Sequence, residues 1–167
     1  MSESGVPQLL QSEIEEGLLQ ARNSLRQRYP KLLHNPGDEF NRVLNFITRD
    51  SYMQPHLHPG EEKIEEISII EGKLATIFFD DQGAVRDVVL LKKGGVECVR
   101  VPAFTWHTYV MLADEVVTYE TMMGKYDPLT WKRFAVWAPV ENSPKSVPYL
   151  SSLRDTVTKT VLGNQSS

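Results

Sequence analysis

From Phe40 to about Gly124, short segments rich in Val, Ile, Phe, Tyr and Thr follow one another with no helical pattern between them. Turn-forming clusters break this run roughly every eight to twelve residues, and two of them, DDQG and KKGG, carry hairpin signals. The predicted strands are FNRVLNFIT, SYMQPHLH, EEISIIEG, KLATIFFD, AVRDVVLLK, VECVRVP, HTYVMLA and EVVTYETMM. Consecutive strands without intervening helices predict an all-β sandwich or barrel, because closing or doubling the sheet limits exposed edges.

Elements of another kind flank the run. From Ser12 to about Arg28, Ile14, Leu18, Ala21 and Leu25 recur at the spacing of one helix face. Ser12 with Glu15 reads as a capping box, and Arg22, Arg26 and Arg28 suit the negative end of the helix dipole. Pro30 and HNPGDE are expected to stop this helix and lead into loop. After Gly124, KYDPLTWKRFAVWAPVENSPKSVP mixes aromatics with prolines and reads as an irregular strap over the barrel. Leu150, Leu153, Val157 and Val161 predict a short helix ended by Gly163, although its threonines are poor helix formers. The expected organisation is a helix and linker over residues 1–38, a β-barrel over 39–140 and an extension over 141–167.

Composition narrows the function. A chain of 167 residues supports one domain with a real core. Its net charge of -4, with Lys and Arg scattered, offers no electrostatic pull toward phosphates, so a nucleic-acid partner is not expected. No apolar run approaches the ~18 residues of a membrane helix, and the acidic amino terminus lacks the basic start of a signal peptide, so a cytoplasmic protein with no membrane partner is expected. The single Cys98 cannot form an internal disulfide and reads as a small buried hydrophobe.

The chemistry lies in YMQPHLHPGEEKIEEISIIEG. Residues i and i+2 of a strand share a face, so His56 and His58 can converge on one ion, with Tyr52 and Gln54 on the same face if Pro55 preserves the alternation. In the next strand, one of Glu65 and Glu66 must share a face with apolar neighbours, and a buried carboxylate needs a partner such as a divalent cation. In VPAFTWHTYV, Pro102 opens a turn and His107 begins a strand with Tyr109 and Met111 on its own face.

PHLHPGEEKIEEISIIEG resembles the first cupin motif, and VPAFTWHTYV resembles the second. More narrowly, RNSLRQRYPKLLH, FDDQGAV, VPAFTWHT, GKYDP and FAVWAP resemble, in order, the WbuC family of cupin-fold metalloproteins, over about Arg22 to Pro139. The resemblance implies a single cupin-type jelly-roll barrel with His56, His58, Glu65 and His107 as metal ligands. Glu65 is preferred to Glu66 because six residues separate it from Gly72, as in the family. The chain departs from the family in a longer His58-to-Glu65 connection and in Phe104, which stands where the second motif has glycine. That bulk is expected to reshape the turn carrying His107 and to wall off part of the pocket.

A divalent transition metal (Fe, Mn, Ni or Zn) suits imidazole and carboxylate ligands. The first functional reading is a metal-dependent enzyme, an isomerase or oxygenase, acting on a small polar or sugar-related molecule. Glu65 would move a proton, and Tyr52, Gln54 and Tyr109 would orient the substrate. The alternatives are a sensor holding a small-molecule ligand at the same metal, and a metal that only staples the barrel. The family resemblance makes the arginine segment a lid reaching an anionic substrate, and the fold family implies a homodimer. His34 reads as structural, and Trp106, Trp131 and Trp137 read as packing residues.

Overall fold

The computed structural model describes residues 5–165. Helix α1 (Gln11–Arg22) precedes ten strands: β1 (Arg28–Leu32), β2 (Phe40–Thr48), β3 (His56–Leu57), β4 (Glu65–Glu71), β5 (Lys73–Phe79), β6 (Val85–Lys92), β7 (Cys98–Val101), β8 (His107–Met111), β9 (Glu115–Met123) and β10 (Arg133–Phe134). Helix α2 (Ser146–Gln165) follows them. The strands form two five-stranded sheets, ordered β1-β2-β9-β4-β7 and β10-β3-β8-β5-β6, and every pairing is antiparallel. This is an all-β jelly roll with a helix at each end of the chain.

Strand alternation sorts the apolar residues into three layers. Ile47, Ile67, Ile69, Leu74, Leu91, Val99, Val101, Met111 and Val116 meet between the sheets. On the outer face of the first sheet, Ile14, Leu18 and Ala21 of α1 cover Leu44, Phe46, Val117 and Tyr119. On the outer face of the second, Leu150, Leu153 and Val157 of α2 cover Ala75, Ile77, Phe79 and Val110. Each fully buried aliphatic side chain contributes about 1.5–3 kcal/mol. Because α2 covers the outer face of the second sheet, β5 and β8 are buried on both faces along nearly their whole length. Two glycines permit close approaches: a Cβ on Gly17 would lie 2.4 Å from the Phe46 ring, and one on Gly72 would lie 2.4 Å from the Glu115 carbonyl oxygen.

Several boundaries differ from the sequence reading. Helix α1 stops at Arg22, Leu25 beyond it is exposed, and Glu13 rather than Ser12 takes part in the cap by accepting from the Leu10 N–H at 2.8 Å. Arg28 opens β1, a strand the sequence reading had as loop; β1 lies at a sheet edge, where Pro30 is tolerated without its N–H. SYMQPHLH contracts to the two residues of β3, since Pro55 cannot donate and the Met53 carbonyl accepts from Thr108 Oγ1 at 2.6 Å. KKGG forms a tight turn, but it is a corner and not a hairpin, because β7 pairs with β4 in the opposite sheet. Cys98 is exposed. Helix α2 runs for 20 residues through Gly163, and Thr156, Thr158 and Thr160 satisfy their hydroxyls on the carbonyls four residues back. No helix among the described residues is long and apolar enough to cross a membrane.

Candidate metal centre

The two sheets bring His56, His58, Glu65 and His107 together at one end of the sandwich. His56 and His107 are register partners across β3 and β8, His58 lies one residue past β3, and Glu65 opens β4 in the facing sheet. One ligand atom from each of the four lies within 4.8 Å of the others, and all four residues are buried. Glu66, the alternative to Glu65, is exposed and paired in register with Arg100 on the outer face.

Backbone carbonyls fix the orientation of every imidazole. His56 Nδ1 donates to Gln54 O at 2.9 Å, His58 Nδ1 to Trp131 O at 2.8 Å, and His107 Nδ1 to Thr105 O at 2.8 Å. A neutral imidazole that donates through Nδ1 presents a bare lone pair on Nε2. Glu65 Oε2 lies 3.1 Å from Nε2 of both His58 and His107, so lone pairs and a carboxylate face one small volume. Such a group of electron-pair donors is stable around a cation, and the residues fit a divalent metal. With no cation between them, the same Nε2 atoms donate to Glu65 when they carry a proton, and those hydrogen bonds from His107 and His58 outweigh the opposing effect of burial and hold the Glu65 pKa well below the ordinary range. Burial also pushes the His56 pKa well down, assisted by His107, so His56 stays neutral.

Tyr109, two residues along β8, donates its hydroxyl to Glu65 Oε2 at 3.2 Å. Burial, and then the Glu65 charge, raise its pKa well above the ordinary value and keep it a donor. Tyr52 and Gln54 do not share this face. Tyr52 packs in the cluster beneath α2 and donates to Pro139 O at 2.7 Å, while Gln54 Nε2 donates to Ala135 O at 3.0 Å. The alternation expected through Pro55 is broken, which removes Tyr52 from the pocket and leaves Gln54 as a backbone anchor for His56.

The longer His58-to-Glu65 connection has a structural use. It carries Lys63, whose Nζ donates to Thr130 O at 2.9 Å and lies 5.3 Å from the centroid of the Trp131 ring. The strap is thereby tied to the loop whose His58 it anchors. Phe104 occupies the left-handed region with φ 59°, as its glycine-like position requires, and its N–H donates to His58 O at 3.0 Å. Its side chain is exposed and lines no part of the pocket, contrary to expectation.

A cavity of about 510 Å³ borders the cluster, walled by His56, His58, Glu65 and Tyr109 on one side and by Met53, Asn45, Glu120, Met122, Trp131 and Lys132 elsewhere. Glu120, Trp131 and Lys132 were missed as site residues. The strap's aromatic content was the one available signal for Trp131, and the inward period of β9 was the signal for Glu120. Burial, then the Glu65 charge, raise the Glu120 pKa to about 7. The arginines do not form a free lid: Arg22 pairs with Glu115, while Arg26 and Arg28 converge on Glu141 at 3.2 and 2.6 Å. His34 Nδ1 bonds the Arg42 backbone at 3.0 Å, and Trp106 and Trp137 pack edge to face, both as read from sequence.

A family model described as a domain of unknown function (DUF6016) matches residues 9–91. A search of curated proteins returns no match. Among solved structures, the chain is similar to oxalate oxidase in complex with the substrate analogue glycolate, at 15% identity over 80% of this chain and 67% of that one, with TM-score 0.52. It also matches the Schizosaccharomyces pombe Cnp3 cupin domain at 18% identity, covering 62% of this chain and 67% of that one, with TM-score 0.46. Lactobacillus farciminis oxalate decarboxylase matches at 13% identity and TM-score 0.47 over 58% of this chain, which spans 27% of that longer protein. Identities this low speak to architecture: the chain has the jelly-roll fold of the cupins, with three histidines and a glutamate gathered where a metal can be held.

Proposed function

We propose that this protein is a metal-dependent enzyme acting on a small polar, sugar-related molecule. The observation that carries the reading is the cavity of about 510 Å³ opening directly onto the ligand cluster. A staple-type ion would be enclosed by its protein ligands, whereas a catalytic one keeps access to a pocket, and pockets of roughly 300–1,000 Å³ suit small molecules. His56, His58, His107 and Glu65 would hold the ion, which when bound supplies Lewis acidity and lowers the pKa of a coordinated water or hydroxyl.

The chain's own residues divide the remaining work. Tyr109 orients Glu65 through its hydroxyl, and the three carbonyls behind the imidazoles hold their Nε2 atoms inward. Glu65, held strongly ionised, is suited to ligation. Glu120, whose pKa burial and the Glu65 charge raise to about 7 in the absence of a cation, is the wall carboxyl better matched to holding a proton. Met53 and Met122 present apolar wall beside these polar groups. The likeness to the WbuC family supports a sugar-related substrate linked to surface polysaccharide, and the likeness to cupins supports a homodimer.

The test is turnover of a carbohydrate and keto-acid panel by metal-loaded protein. The reading expects product from at least one member, abolished by chelation and restored by adding the metal back. Tight binding with no product from any member would replace it with a ligand-binding sensor.

A further inference from the structure

Three cations, Arg26, Arg28 and Lys132, line the cavity, and two of them are already committed. Arg28 donates to Glu141, to Ser51 Oγ at 3.2 Å and to Tyr52 O at 3.3 Å, while Arg26 donates through Nε to the same Glu141. The Lys132 ammonium makes no hydrogen bond or ion pair among the described residues, although its side chain is half-buried in the wall. Burial lowers its pKa, opposed by the charges of Glu65 and Glu120. Its place follows from local structure. Trp131 is pinned on one side by the His58 contact and on the other by Lys63, and β10 starts at Arg133, so the intervening residue has little freedom.

A partly desolvated ammonium that no carboxylate touches is a binding group with room for an anion, and the carboxylates of Glu65 and Glu120 act on it only at a distance. We propose that Lys132 forms an anion subsite in the same cavity as the metal cluster, so that the substrate carries a carboxylate in addition to the oxygen that meets the metal. The inference rests on the reading of the cavity as a substrate site and narrows it to hydroxy or sugar acids. A carboxylate is favoured over a phosphate because the guanidinium forks that suit phosphate are spent on Glu141, leaving one point charge. Glu120 lines the same wall, and burial, the largest influence on it, favours its neutral form, in which it can donate to the same group.

The experiment compares 3-hydroxypropionate with its neutral amide by calorimetric titration, on metal-free and Co(II)-loaded protein, in the parent and in Lys132→Met and Lys132→Arg. The expected result is a roughly tenfold or greater preference for the acid over the amide, about 1.4 kcal/mol or more. That preference should vanish in Lys132→Met, persist in part in Lys132→Arg and leave Co(II) content unchanged. If Co(II) binds and the parent shows no preference, or Lys132→Met retains it, the subsite is refuted while the metal reading stands. If Co(II) does not bind but the acid still binds in a Lys132-dependent way, the subsite stands and the metal reading falls.

Discussion

Along the inward face of β4 the residues run Glu65, Ile67, Ile69, and along that of β8 they run His107, Tyr109, Met111. Both inward faces begin in polar ligand groups and end in hydrocarbon. One end of the sandwich is thus a dry core, closed by side chains such as Leu74, Leu91 and Val116, while the other is a polar cavity. The same backbone positions the two, so the difference lies in what satisfies the buried groups. Dispersion and water exclusion suffice for Ile67, but Glu65 needs His58, His107 and Tyr109, and the imidazoles need their carbonyls. The dry end supplies rigidity, and the polar end uses it to hold four donor groups around one point.

The largest expected effect that separates the ends is on metal binding. His107→Ala should lower metal affinity by several orders of magnitude in a competitive chelator titration, because a ligand lost from a preformed site removes a large share of the binding free energy. Ile67→Ala, two residues from Glu65 on the same strand, should instead cost about 2–5 kcal/mol of stability in urea unfolding through cavity formation, with metal affinity preserved. A large loss of metal affinity in Ile67→Ala would mean that the two ends are not separable.

The next effect is one of pH. Glu120 titrates at about 7 in the fold against an ordinary 4.5, so between these values the folded state holds a proton that the unfolded state has released. Stability contributed at this position therefore falls as pH rises from the ordinary value through about 7, and stays low above it. Glu120→Gln should flatten that fall and stabilise the metal-free protein at alkaline pH by an amount of order 3 kcal/mol. His56, with its lowered pKa, acts oppositely by losing stability below its ordinary 6.5, and it is unchanged in this comparison. Thermal melts of the variant and parent across the acid-to-alkaline range give the difference curve; a parallel offset with no pH dependence would contradict the assignment. Smallest is Lys63→Met, expected to cost about 1 kcal/mol by removing one hydrogen bond and a cation–π contact, measured by the same melts.

How far the sequence could be read follows the same division. The long strands were legible because alternation and turn residues act locally: FNRVLNFIT became β2 without a shift of boundary. His56, His58, Glu65 and His107 were singled out by short motifs, and the fold brings them together. What stayed hidden depends on distant partners. Pro55 turns Tyr52 away from the cavity and under α2, which no strand period foretells. Arg28 looked like a helix end until β1 and Glu141 gave it a place, and Lys132 was lost in a strap whose path depends on the Trp131 carbonyl accepting from His58 and on a clamp from Lys63. The threonines of α2 argued against a long helix by propensity, and burial of Leu150, Leu153 and Val157 overrode them.

The most direct test of the central claim is elemental analysis of protein purified without added metal, set beside His56→Ala and His107→Ala. The account predicts close to one transition-metal ion per parent chain and almost none in either variant, with both variants still folded by circular dichroism. Folded parent protein that retains no metal after gentle purification and takes up none on reconstitution, or variants that hold as much metal as the parent, would contradict it.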